Sequence, residues 1–303
     1  MPWRCRRLVA LLFITLLVAP GAVHPADPAP PIPVVATIPV LKDFVEQIGG
    51  DRVSAVSLLS GLENEHTYSP KPSDILAIRK ARLFVQVGVG LEVWAAPLVK
   101  NAGHATLTVV TTARGIAIIR DPGAIAPAAG EPEHEGNPHV WLDPENAKIM
   151  VRHLTEALSA VEPAHADTFR ANQAAYLHRL DGLQRELDTL VSSVRDRQIV
   201  VHHPAWPYFA RRFRFEIVGT VVNQSGAEPS AQHLQALINT IRQRHVRVIV
   251  SEPQLNQKIP EMLARETGAR VLVLTPLPGG LPGTASYLDL LRYNVTQLAR
   301  ALS

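Results

Sequence analysis

Three short stretches of the chain each carry a histidine where a metal ion could use one. His66 lies in "ENEHTYSPKPSD", His139 in "NPHVWLDP" and His203 in "VVHHPAWPYF". Neutral imidazole suits zinc and similar borderline cations, and three nitrogens at about 2.0–2.1 Å fill most of a tetrahedral shell. A lone histidine at a helix entry serves as well as a cap or packing residue. Three of them, at equivalent strand–helix junctions, favour one shared metal. His202 competes with His203, but a strand's last residue can point into the sheet, whereas the turn residue faces outward. The other histidines read as solvated: His104 in a turn, and His153, His165, His178, His233 and His245 on polar helix faces.

These junctions belong to a βα alternation. "VVATIPV", "VSAVSLL", "RLFVQVGVG" and "TLTVVTT" read as buried strands. Between them "LKDFVEQIGG", "SPKPSDILAIRKA" and "LEVWAAPLVKNA" read as helices, with glycine and proline as stop and start signals. "DPENAKIMVRHLTEAL" begins with Asp143 at the N-cap and Pro144 in the first turn. Leu177, Leu180, Leu183, Leu187, Leu190 and Val194 then recur at steps of three and four, which predicts a helix over Asp167–Arg195, about 40 Å long. Strands "QIVVHH", "FEIVGTVV", "VRVIVSEP" and "RVLVLTPL" alternate with helices to the end. The fold class is therefore α/β: two parallel-sheet lobes joined by one long backbone helix. The expected division is a leader over 1–26, an N-terminal lobe over 27–166, the helix over 167–196 and a C-terminal lobe over 197–303. In parallel α/β sheets ligands bind beyond the carboxyl ends of the strands, which is where all three histidines fall.

The first 26 residues stand apart. Arg4, Arg6 and Arg7 precede an apolar run from Leu8 to Val18 and small residues from Ala19 to Ala22, the pattern of a cleavable secretory signal. The run is short for a membrane span. Cys5, the single cysteine, precedes it and cannot be a lipidated cysteine, so the mature chain is held by its core or a ligand rather than by disulfides. The leader's three arginines account for the formal charge of +3, so the high pI gives no support to nucleic acid as a partner. The chain contains no HExxH, P-loop or GxGxxG, and "LPGGLPG" lacks the lysine and serine of a phosphate loop.

Together "HTYSPKPSD", "NPHVWLDP", "HPAWPYFARRF", "SEPQ" and "YLDLLRYNVTQLARAL" carry a resemblance over residues 33–303. The chain resembles the metal-binding subgroup of ABC-transporter solute-binding proteins, the periplasmic zinc and manganese receptors. The resemblance implies ligands at His66, His139 and His203, with the metal between the lobes. It also implies zinc, because manganese and iron relatives typically have glutamate at the position of His203. One departure stands out. Where the family often has aspartate in "LDPLG", this chain reads "LTPLPGG", with Thr275 in that place. The fourth position is then open to water, Glu65, Glu228, Glu252 or Thr275. The run "GEPEHEG", with Glu131, Glu133, His134 and Glu135, is a shortened form of a loop that gathers metal in zinc-type relatives, or a solvated acidic loop.

The expected function is a monomeric periplasmic receptor that takes Zn2+ as cargo and delivers it to an inner-membrane ABC permease and its ATPase. It is not an enzyme. Manganese, iron or a metal chelate is the alternative cargo. The rival class is a secreted zinc hydrolase, with three histidines holding a reactive water and Glu65 as general base.

Overall fold

The short β-branched runs form parallel strands and the amphipathic stretches between them form helices. This holds over residues 30–120, 136–222 and 228–303, which a computed structural model describes. The first lobe runs β1 (Ile32–Ala36), α1 (Pro39–Gly49), β2 (Val53–Ser57), α2 (Pro72–Lys80), β3 (Leu83–Gln86), α3 (Ala95–Ala102), β4 (Thr108–Thr111) and α4 (Pro144–Val161). A long helix, α5 (Ala166–Ser192), follows. The second lobe runs β5 (Gln198–Val201), α6 (Pro207–Phe213), β6 (Glu216–Thr220), α7 (Ala231–Arg244), β7 (Val248–Ser251), α8 (Lys258–Thr267), β8 (Arg270–Val273) and α9 (Tyr287–Leu302). The predicted signal peptide with Cys5, and the loop with Glu131, Glu133, His134 and Glu135, lie outside the described residues.

Each lobe holds one four-stranded parallel sheet, with orders β2-β1-β3-β4 and β6-β5-β7-β8. The two orders are the same. In each, the first strand is central, the second flanks it on one side, and the third and fourth lie on the other. Val34 of β1 faces Leu83 of β3, which faces Thr108 of β4. In the second sheet Val201 faces Val250, which faces Leu272. Both sheet faces are covered, so the strands alternate between two apolar clusters rather than between core and solvent. Val34, Ala36, Leu83 and Val85 enter a central core, while Val35 and Phe84 pack with Ile78 and Leu98 on the outer face. Val201, Val248 and Val250 enter that same central core, while Val200 and Ile249 pack outward with Leu237 and Leu263. One continuous core thus runs from one lobe into the other.

α5 lies along that core and packs on α1, α4 and α9. Its buried stripe is Phe169, Tyr176, Leu180, Leu183, Leu187 and Val191, while the predicted Leu177 and Leu190 pack partly buried at its margin. Several predicted elements end early. "VVATIPV" stops being a strand at Ala36, because Pro39 has no N–H to give a ladder and instead opens α1 in its first turn. "RLFVQVGVG" ends at Gln86, because Gly88, Val89 and Gly90 all have positive φ, at 89°, 57° and 74°. α3 begins only at Ala95. Asp143 does cap α4: its carboxylate accepts from the Glu145 N–H.

Candidate metal centre

The three histidines arrive from the carboxyl ends of both sheets. His66 sits in the loop between β2 and α2, His139 in the turn that leads into α4, and His203 two residues after β5. The structure brings them together and adds Glu65. One ligand atom from each of Glu65, His66, His139 and His203 lies within 4.8 Å of every other. His66 Nε2 is 3.2 Å from His139 Nε2, and Glu65 Oε1 is 3.3 Å from the same nitrogen. A tetrahedral shell with bonds of about 2.0–2.1 Å has ligand–ligand edges of about 3.3–3.4 Å. Glu65, His139 and His203 are at most 2% exposed, and His66 is half-buried.

The hydrogen bonds around the rings decide which nitrogens face inward. Asn137 donates from its amide to the Pro204 carbonyl, so its Oδ1 is the acceptor, and it receives both the His139 N–H and His139 Nδ1. His203 Nδ1 lies 3.1 Å from Glu252 Oε2, which can only accept when ionised. In its neutral form each ring therefore carries its proton on Nδ1 and turns a lone pair at Nε2 toward the cluster. His203 Nε2 is buried with no hydrogen-bond partner, and so is Glu65 Oε1. Buried polar atoms without partners are costly, and a cation between them would supply what is missing. Burial, then the neighbouring His203 charge, holds His139 well below the ordinary imidazole range, so it is neutral despite the nearby carboxylate. Burial pulls His203 down as well, but the charge and hydrogen bond of Glu252, with Glu65 behind them, raise it overall.

His139 and His203 stand on backbone fastened across the lobes. Trp141 Nε1 donates to the Pro276 carbonyl at 2.7 Å, and Tyr287 Oη donates to the Trp141 carbonyl at 2.6 Å. Tyr208 Oη donates to the Asn137 carbonyl and accepts from the Ile119 N–H, both at 2.9 Å. Arg211 pairs with Asp143 at 3.2 Å. Glu65 and His66 are held more locally. Asn64 Oδ1 accepts from the His66 N–H, and Trp94 Nε1 donates to the Glu65 carbonyl at 2.9 Å. Their loop meets the second lobe at Gly61, where φ is +101° and any Cβ would lie 2.3 Å from the Pro278 carbonyl oxygen.

The other predicted ligands go elsewhere. Glu252 is fully buried behind His203, with one oxygen on His203 Nδ1 and the other accepting from Trp206 Nε1. The Thr275 hydroxyl donates to the Leu277 carbonyl and accepts from the Leu277 N–H, so it closes its own turn. Glu228 is exposed and outside the cluster. His134 lies outside the described residues. His202 turns to Ser251, its Nδ1 2.8 Å from the hydroxyl, and burial keeps it below the ordinary imidazole range. His153 and His233 are partly buried and bond to the carbonyls of Thr112 and Thr220, where the sequence predicts solvated rings. The holding roles of Trp206, Asn137 and Trp94 escape the sequence reading. Only Asn137, two residues before His139 in an Asn-Pro turn, has a local signal.

A family model described as zinc-uptake complex component A, periplasmic, matches residues 34–301. The iron-binding protein YfeA of Yersinia pestis is 27% identical over 98% of this chain and 96% of its own length. The zinc-binding lipoprotein AdcA of Streptococcus pneumoniae is 28% identical over 89% of this chain but 54% of its own length, so the chain spans about half of that relative. A crystal structure of ZnuA superposes with a TM-score of 0.80 at 30% identity, covering 90% of this chain and 100% of that one. Relatives in this family are metal-binding transport proteins, not enzymes, which removes the hydrolase reading and with it Glu65 as a general base. The chain belongs to the family of periplasmic zinc-uptake complex component A, the metal-binding components of ABC transport systems.

Proposed function

We propose that this protein captures zinc in the periplasm, after removal of its signal peptide, and delivers it to an inner-membrane ABC permease with its ATPase. Glu65, His66, His139 and His203 are the ligands, and zinc is cargo rather than a resident cofactor. The observation that carries this reading is the convergence of three imidazoles and one carboxylate on a point, with ligand spacings of 3.2 and 3.3 Å. Three nitrogens favour zinc over manganese, both by ligand type and by the Irving–Williams order. Four close-set ligands also favour an ion content with four, whereas manganese suits more oxygen-rich shells. The carboxylate offsets half of the ion's charge inside a buried site. Glu252, Trp206 and Asn137 act behind the ligands, fixing ring orientation and tautomer.

The test is metal analysis of protein purified without a polyhistidine tag and equilibrated with equal zinc and manganese. The expected result is one zinc per chain and little manganese. Equal occupancy by manganese, or unchanged zinc content after replacing each of the four ligands by alanine, would sink the assignment.

A further inference from the structure

The loop between β3 and α3 is wound unusually tightly for a segment that bears no ligand. Gly88, Val89 and Gly90 are consecutively left-handed, and the middle one is β-branched, a residue type that rarely adopts this conformation. Such backbone persists only where its surroundings over-determine it. Here they do. The loop wraps a buried carboxylate: Glu92 accepts from the Val87 and Gly88 N–H groups at 2.8 and 3.0 Å and from the Thr37 hydroxyl at 2.7 Å. Thr37 follows β1, so this carboxylate ties the loop to the central strand of its sheet. The wound loop fixes the start of α3, and there Trp94 points its indole N–H at the Glu65 carbonyl, 2.9 Å away. Tyr68 packs edge-on against the same indole at 4.9 Å, and its hydroxyl is held by Asp74.

The chain of contacts is continuous: central strand, Glu92, wound loop, Trp94, Glu65. We infer that Trp94 is a positioning residue for the metal shell, and that its hold on the Glu65 backbone sets how fully the Glu65 carboxylate completes the shell and hence how strongly zinc is preferred over manganese. The inference rests on the assignment of Glu65, His66, His139 and His203 as ligands. The physical reason is coordination number. With Glu65 fixed, the shell is closed at four ligands, which suits zinc. With Glu65 loose, water enters and the shell expands, which penalises zinc more than an ion that prefers hard oxygen and a larger shell.

Trp94→Phe keeps an aromatic ring and removes the donor. Zinc and manganese affinities would be measured by chelator competition for the wild type, Trp94→Phe, Glu65→Gln and the double variant. Visible absorption of the cobalt(II) forms reports coordination number, since four-coordinate cobalt absorbs far more strongly than five- or six-coordinate cobalt. Trp94→Phe is expected to weaken zinc by about tenfold, the lower range for residues that orient a ligand. It should weaken manganese less and reduce the cobalt absorption. In the Glu65→Gln background the same change should cost little further zinc affinity. The inference is overturned if Trp94→Phe retains wild-type zinc affinity and cobalt absorption. It is also overturned if the zinc loss is equally large with and without the Glu65 carboxylate, because the indole would then act on the fold in general. The double-variant comparison decides this even if Trp94→Phe lowers the melting temperature. A wild-type protein that binds no zinc at all would instead overturn the ligand assignment, and this inference with it.

Discussion

His139 and His203 stand on turns bonded from one lobe to the other, whereas Glu65 and His66 stand on a loop fastened chiefly within the first lobe. The first pair has its Nδ1 atoms locked by Asn137 and Glu252, and its backbone clasped by Trp141, Tyr208 and Tyr287. The second pair leans on Asn64, Trp94 and the close approach at Gly61. One half of the site is thus part of the continuous interlobe core, and the other is attached to it. The difference separates two properties that a ligand count would merge. On the proposed ligand assignment the anchored half supplies a preset pair of nitrogens, and the loop half governs how the shell is completed.

The largest effect should come from the anchored half. His139→Ala and His203→Ala should each weaken zinc by more than the roughly 10–100-fold typical of losing a residue that only orients a ligand. Glu252→Gln should fall within that range, since it removes charge and orientation but no ligand. Chelator competition checks this, and a Glu252→Gln loss equal to that of His203→Ala would break the distinction between ligand and holder.

Next in size is the thermal response to metal. An ion that binds only the folded state stabilises it by about 4 kcal/mol at a thousandfold excess over Kd. At roughly 2–4 °C per kcal/mol, zinc should raise the melting temperature by roughly 8–16 °C. Manganese should raise it far less. Equal shifts would remove the selectivity argument.

Acid should weaken binding through His203. A bound imidazole must be unprotonated, and the Glu252 carboxylate lifts the His203 pKa above its ordinary value. Protons therefore compete with zinc from above pH 6.5 downward, at about one decade of affinity per pH unit for each proton displaced. His139, already held neutral by burial, adds no competition in this range. On the metal-free protein the two shifts oppose each other. The raised His203 favours the folded state at low pH and loses that contribution as pH rises, while the lowered His139 favours it at high pH. The melting shift caused by zinc should accordingly shrink between pH 7.5 and 5.5 more than the metal-free melting point moves. A flat zinc affinity across that range would contradict a shell of imidazoles.

The smallest effect concerns the clasp itself. Tyr208→Phe removes one donor and one acceptor between the lobes and should cost about 1–1.5 kcal/mol, or roughly 2–6 °C. Zinc affinity should change little, because the remaining clasp still sets His139 and His203. A large affinity loss with no stability loss would mean that Tyr208 shapes the site rather than the interface.

Much of this was legible in the sequence, and the rest was not for identifiable reasons. The βα alternation, the Asp143 cap and the long helix follow from local periodicity and capping, which act within a few residues. The three histidines could be singled out because each lies in a connection between a strand and a proline-led helix. Glu65 could be named only as one of several carboxylates, since the bond that holds its backbone comes from Trp94, 29 residues away. Thr275 and Glu252 look equally placed in sequence. Which of them bonds its own turn and which backs a ligand is decided by packing between β5, β7 and the turn after β8. The left-handed run after β3 reads as strand because Val87 and Val89 keep the apolar alternation. Its departure is imposed by a carboxylate that the pattern does not reveal.

The most direct measurement is zinc K-edge X-ray absorption on the one-to-one zinc complex at neutral pH. Four light-atom ligands are expected at about 2.0–2.1 Å, with the multiple-scattering signal of three imidazoles, and the loss of one imidazole in His66→Ala. A six-coordinate, oxygen-dominated shell, or an imidazole count unchanged in His66→Ala, would contradict it.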